Sequence, residues 1–121
     1  TKLSTINNLD IAVLEPRGSL IGGEETDDLK VKSRDLLEQG NRKLIIDLGN
    51  VTYLNSTGIG SLVAIHTMYV NAKGAVKLCN MGKNIQNVFV ITRLTSVFDV
   101  EETRENAIKS FSQSRTKSPL T

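Results

Sequence analysis

Residues 43–62, KLIIDLGNVTYLNSTGIGSL, carry the clearest structural pattern in this chain of 121 residues. The segment opens with the continuously apolar run Leu44 to Ile46, which is typical of a strand covered on both faces. Residues 49–54 then read as a loop. From Thr57 to Lys73 the spacing of apolar side chains predicts an amphipathic helix, with Ile59, Leu62, Val63, His66, Tyr69 and Val70 on its apolar face.

On both sides of this segment, the sequence pattern predicts alternating short strands and helices. Helical spacing and stop signals predict helices at Thr26–Gln39, around 85–92 and at Glu101–Phe111, and apolar runs predict strands near 3–6 and at 11–14, Lys43–Leu48, Val76–Asn80 and Val97–Val100. The order β-β-α-β-α-β-α-β-α predicts an α/β domain with right-handed crossovers. Its mixed, mostly parallel sheet has four to five strands, with about four helices and an antiparallel edge from the opening strands.

The predicted domain covers residues 1–112, and residues 113–121 are predicted to form a disordered tail because they lack apolar periodicity. Apolar residues make up 39% and charged residues 23%, which suits one hydrophobic core. With a net charge of +2 and no run of five basic residues, the chain lacks the electrostatic signature of nucleic-acid binding.

No apolar run approaches the ~20 residues that span a membrane, and no export signal opens the chain, so the cytoplasm is the expected location. The single cysteine, Cys79, excludes an intramolecular disulfide and reads as a buried structural thiol. We expect no cofactor and no metal, and a monomer or weak dimer.

Asn55, Ser56 and Thr57 are three small polar residues at the entry to the long helix. The plainest interpretation is a helix cap, in which Asn55 or Ser56 accepts a hydrogen bond from a free backbone N–H. A hydroxyl at a helix start is also a suitable phosphate acceptor, because free N–H groups and the helix dipole favour negative charge there. The two interpretations are compatible.

Enzyme-like interpretations of this turn fail on spacing. Gly58 and Gly60 mimic a dinucleotide fingerprint, but Val63 occupies the third glycine position. A hydrolase elbow around Ser56 needs glycine where Leu54 stands. The only histidine, His66, lies about 15 Å along the same helix from Ser56 and reads as a core or boundary residue. One histidine and one cysteine make a transition-metal site improbable.

With these residues in view, the chain resembles the STAS domain, a family named for sulphate transporters and anti-sigma factor antagonists, over roughly residues 3 to 111. The family pattern has an Asp-Leu-x-x-Val-x-x-Leu segment followed by Asp-Ser-Ser/Thr-Gly and a long helix. The residues of this chain in that register are Asp47, Leu48, Val51, Leu54, Ser56, Thr57 and Gly58.

The resemblance implies a non-enzymatic anti-sigma factor antagonist. In the stand-alone members, the unmodified antagonist binds an anti-sigma factor that is a serine kinase using ATP and Mg²⁺, and so frees the sigma factor. Phosphorylation of the motif serine, here Ser56, ends binding until a phosphatase reverses it. The partner-binding residues implied are Asn55, Ser56, Thr57, Gly58, Ile59 and Gly60, together with Gly22 and Gly23.

Two departures from the family pattern bear on this prediction. Asn55 replaces the usual aspartate before the serine, and Ile21-Gly22-Gly23 replaces a loop that usually carries an aspartate. The alternative is a STAS module that is never phosphorylated, acting as a scaffold or as a subunit of a stressosome-like or lipid-transport complex.

Overall fold

The computed structural model describes the backbone of residues 1–6 and 10–117, and the side chains of the same residues as far as Phe111. Strands and helices alternate along these residues, with a single 3₁₀ turn at Leu94–Ser96. The elements are β1 (Lys2–Ile6), β2 (Ile11–Glu15), β3 (Arg17–Leu20), α1 (Glu24–Glu38), β4 (Lys43–Asp47), β5 (Asn50–Leu54), α2 (Ser56–Asn71), β6 (Ala75–Cys79), α3 (Lys83–Ile91), β7 (Asp99–Glu101) and α4 (Arg104–Lys117).

The main sheet has five strands in the order β1-β2-β4-β6-β7. Strand β1 pairs antiparallel to β2 at one edge, and the other neighbours are parallel. The predicted fold class is therefore confirmed: a mixed, mostly parallel sheet with four helices. Side chains alternate between its two faces, as strand geometry requires. Leu44 and Ile46 join the core beneath α1 and α2, while Ile45 packs with Ala107 and Phe111 of α4.

The prediction that residues 49–54 form a loop is wrong. Asn50–Leu54 form β5, which pairs in parallel with β3 as a separate two-stranded sheet. Val51 and Leu54 are buried while Thr52 and Tyr53 are exposed. The register shifts beside Gly18, whose φ of +79° is a left-handed conformation that glycine adopts at little cost. The partner strand is remote in sequence, so local patterning did not reveal the pairing.

The last strand and helix begin later than predicted. The backbone N–H groups of Val97 and Phe98 both donate to the Leu94 carbonyl, at 3.0 Å each, so these residues close the 3₁₀ turn. Helix α4 begins at Arg104 and continues to Lys117, beyond the predicted end at Phe111.

The predicted tail of residues 113–121 thus begins within the bounds of α4, and residues 118–121 lie outside the described part of the chain. The sequence between Phe111 and Lys117 holds neither glycine nor proline, and Pro119 is the next residue that disfavours a helix. Among the described residues, no helix is both long enough and apolar enough to cross a membrane.

Candidate functional site

The turn from β5 into α2 is held by Asn55, the N-cap of the helix. Its Oδ1 accepts a hydrogen bond from the backbone N–H of Gly58 at 2.9 Å, and its carbonyl accepts from the N–H of Ile59 at 2.9 Å. This is the cap that the sequence predicts, and it satisfies a donor that the helix itself leaves unpaired. Ser56 and Thr57 are consequently the first two residues of the helix.

The loop between β3 and α1 lies directly against this turn. The backbone N–H of Asn55 donates to the Leu20 carbonyl at 3.4 Å, and its side-chain Nδ2 donates to the Ile21 carbonyl at 3.3 Å. Gly58 packs so closely that an added Cβ would lie 2.0 Å from the Leu20 oxygen. Glycine at this position is therefore required by internal packing. The family resemblance had implied a contact between Gly58 and the partner.

The other glycines of the predicted site differ from one another. Gly22 has φ +98°, and an added Cβ would lie 2.8 Å from Cγ2 of Thr57, so the loop and the turn are in contact. Gly23 and Gly60 face open space. Ile59 is half-buried against the core. The structure thus brings Gly22 to the Ser56 turn, whereas Gly23 is the N-cap residue of α1.

The turn at Ser56 is exposed, and the chain segment that forms it carries no charge. Ser56, Thr57 and Gly60 are exposed, and the Ser56 hydroxyl makes no hydrogen bond within the described residues. No residue from Leu48 to Ala72 is Asp, Glu, Lys or Arg. Two large apolar side chains flank the turn: Ile21 is 47% exposed and Tyr53 is 56% exposed. An uncharged, partly apolar segment of this kind is typical of the central part of a protein interface.

A polar network that the sequence did not indicate is centred on the buried side chain of Asp47. Asp47 is 3% exposed. Its carboxylate accepts hydrogen bonds from the Gly49 N–H at 2.9 Å, from Asn80 Nδ2 at 2.9 Å, and from Nε and Nη2 of Arg104 at 3.0 and 2.9 Å. Arg104 also reaches Glu15 at 3.1 Å. The network ties the start of α4 to the ends of β2, β4 and β6.

This network also sets the protonation of its cation. Burial lowers the pKa of the Arg104 guanidinium, but the hydrogen bonds and negative charges of Asp47 and Glu15 more than offset that effect and raise it. Arg104 therefore stays charged, as its partners require. The sequence gives only a weak signal for the pair of Asp47 and Arg104. Asp47 is a carboxylate at the end of an apolar strand, and Arg104 lies far from it along the chain.

Cys79 lies in the core, as the sequence predicts, and His66 lies at the core boundary. Cys79 is buried, and burial, together with the nearby Asp47 charge, raises the pKa of its thiol to about 12. The thiol is thus unreactive at neutral pH. His66 is half-buried and packs edge-on against Phe98, with ring centroids 5.2 Å apart. Among the described residues its Nδ1 has no hydrogen-bond partner.

Solved structures with the same architecture are known. The chain superimposes on a Thermotoga maritima protein described as an anti-sigma factor antagonist, with a TM-score of 0.81, 21% identity and coverage of 90% and 92% of the two chains. It also matches the Bacillus cell fate determinant SpoIIAA in the phosphorylated form, with a TM-score of 0.70, 19% identity and coverage of 91% and 97%. At these identities the likeness is one of fold.

Sequence comparison extends the likeness to family membership. The anti-sigma-B factor antagonist of Bacillus subtilis is 33% identical over 81 residues, which cover 67% of this chain and 73% of that protein. The family model of the STAS domain matches residues 2–107, which include both strands of the small sheet, the Ser56 turn and the Asp47 network. The chain belongs to the STAS domain family.

Proposed function

We propose that this chain is an anti-sigma factor antagonist whose binding to its partner is switched off by phosphorylation of Ser56. The general role rests on the family and on the relatives, which carry antagonist names and not enzyme names. The chain is accordingly a non-enzymatic regulatory protein. The partner is an anti-sigma factor that is itself a serine kinase, and a phosphatase restores the unmodified form.

The observation that carries the switch is the exposed Ser56 hydroxyl at the start of a helix, within a segment, residues 48–72, that has no charged side chain. Phosphorylation adds a charge of about −1.5 to −2. The helix dipole and the free N–H groups of Ser56 and Thr57 favour that charge, so we expect the domain to stay folded. Phosphorylation is instead expected to weaken the complex, because the phosphate charge must be desolvated when the contact forms.

The required magnitude is modest. A loss of about 2.7 kcal/mol weakens binding about a hundredfold, which is enough to exchange partners. Leaving one buried charge without a counter-ion in an interface costs several kcal/mol. Residues 48–72 offer no Lys or Arg to the phosphate. This segment therefore does not offset the free-energy cost of burying the phosphate charge in the complex.

The test is a binding measurement with the anti-sigma factor kinase of the source organism, by calorimetry, with and without ATP and Mg²⁺. Ser56→Ala is expected to bind as the wild type does and to remain bound in ATP, whereas Ser56→Asp binds about a hundredfold more weakly. Thr67→Asp is the matched control, because Thr67 is exposed on the same helix away from the turn. Mass spectrometry of the ATP-treated mixture is expected to place one phosphate on Ser56.

If Ser56→Asp binds as tightly as wild type and Ser56 stays unmodified, the switch is refuted. The second candidate function is then a STAS scaffold or transport-complex subunit that is never phosphorylated. Asn55 is the observation that favours it, since its Nδ2 donates to Ile21, a bond that the usual aspartate cannot make. Stable self-association in light scattering, or co-purification with membrane transport subunits, would support that second candidate.

A further inference from the structure

A groove on another surface of the domain lies between α3 and β7. Its volume is about 300 Å³, and its apolar lining comes from Met81, Val90 and Val100. Gln86 closes one side by donating from Nε2 to the Met81 carbonyl at 2.8 Å. None of its lining residues belongs to the Ser56 turn or to the loop of residues 20–23.

Exposed apolar side chains are concentrated in the chain segment that follows Val90, which lines the groove. Val90 is 63% exposed, Ile91 is 79% exposed and Val97 is 44% exposed, all within eight positions of the chain. Isolated exposed apolar residues are ordinary, but a cluster next to a concave apolar surface is typical of an interaction site.

The rim of the groove is acidic and lacks counter-ions. Glu101 and Glu102 line it, and within the part of the chain that the structure describes neither forms a salt bridge. Two neighbouring cations are paired with other carboxylates: Lys77, on the strand beside β7, is bound to Asp99 at 2.9 Å, and Arg104 is bound to Asp47 and Glu15. The protein carries a net charge of +2 overall, so this local negative excess is a property of the groove.

We propose that the groove binds a short segment of a partner protein in which apolar side chains are flanked by lysine or arginine. The apolar side chains fill the space over Met81, Val90 and Val100. The flanking cations pair with Glu101 and Glu102, so complementary charge selects the segment and its orientation. Since the groove and the Ser56 turn share no residue, this contact operates independently of phosphorylation.

The test uses two blocked tetrapeptides and the isotopically labelled full chain, observed by NMR. The first peptide is arginine-leucine-valine-arginine and the second is glutamate-leucine-valine-glutamate. The first is expected to shift the methyl resonances of Met81, Val90 and Val100, with an affinity that falls as salt is raised. The second is expected to bind at least tenfold more weakly.

Variants of Glu101 and Glu102 test whether the arginine peptide contacts the acidic rim of the groove. Replacing Glu101 and Glu102 together by glutamine is expected to weaken the arginine peptide about tenfold, whereas Glu38→Gln, on an exposed part of α1, leaves it unchanged. Ser56→Asp is also expected to leave it unchanged, which separates this proposal from the phosphorylation switch. The proposal is overturned if the two peptides bind equally, or if the groove methyls do not shift at saturating arginine peptide.

Discussion

Replacing Gly58 with alanine tests whether the Ser56 turn is built on the contact between α2 and the end of β3. The new methyl carbon would lie 2.0 Å from the Leu20 carbonyl oxygen, 2.8 Å from its carbon and 2.9 Å from Cδ1 of Leu54. The nearest atoms are backbone and cannot rotate away. Restoring an ordinary contact of 3.4 Å requires the helix and the strand to separate by about 1.4 Å.

The energetic consequence follows from three effects. Overpacking costs about 1–3 kcal/mol, and the upper end applies where backbone must move. Separation also breaks the bonds from Asn55 to Leu20 and Ile21, which are already 3.4 and 3.3 Å long and contribute about 1 kcal/mol each at most. Alanine regains about 1 kcal/mol of helix propensity over glycine. We expect a net loss of about 2–3 kcal/mol.

Gly60→Ala is the matched control. It lies two residues later in the same helix, and no atom lies within 4 Å of its added Cβ. The Gly60→Ala variant gains helix propensity without a steric clash, so its free energy of unfolding is expected to rise by about 0.5–1 kcal/mol. Urea unfolding followed by far-ultraviolet circular dichroism measures both variants. Equal stability of Gly58→Ala and Gly60→Ala would contradict the close approach and the geometry of the turn derived from it.

Three further outcomes follow from the polar contacts and the buried thiol. Asp47→Asn is expected to lose about 2–3 kcal/mol in urea unfolding, because it breaks a buried ion pair, whereas Glu15→Gln loses about half as much. Asn55→Asp keeps the cap but replaces the bond to Ile21 by repulsion between oxygens; amide exchange in residues 20–23 is expected to accelerate, with stability changed by less than about 1 kcal/mol. The Cys79 thiol, whose pKa rises on folding from 9.0 to about 12, is expected to resist a disulfide reagent at pH 8 until urea is added. Because the raised pKa belongs to the folded state, its contribution to stability is complete below pH 9 and is lost toward pH 12, and Cys79→Ala removes that alkaline component.

The acidic groove and the buried network show where sequence reasoning was limited. Glu101 and Arg104 stand close together in the sequence, yet one lines an exposed rim and the other points into the protein. Their roles depend on which side of the sheet edge each side chain faces. That orientation is set by β7 and the start of α4, whose bounds the sequence placed a few residues too early.

Features that depend on local periodicity and on capping could be predicted from the amino-acid sequence. The apolar run of β4, the stripe along α2 and the small polar residue Asn55 act within a few residues of one another, so they predicted the α/β class and the capped turn. Features that depend on contact between remote segments became visible in the folded domain. It paired β5 with β3, joined Asp47 to Arg104, and distinguished Gly58 from Gly60, because packing distances depend on where distant chain segments meet.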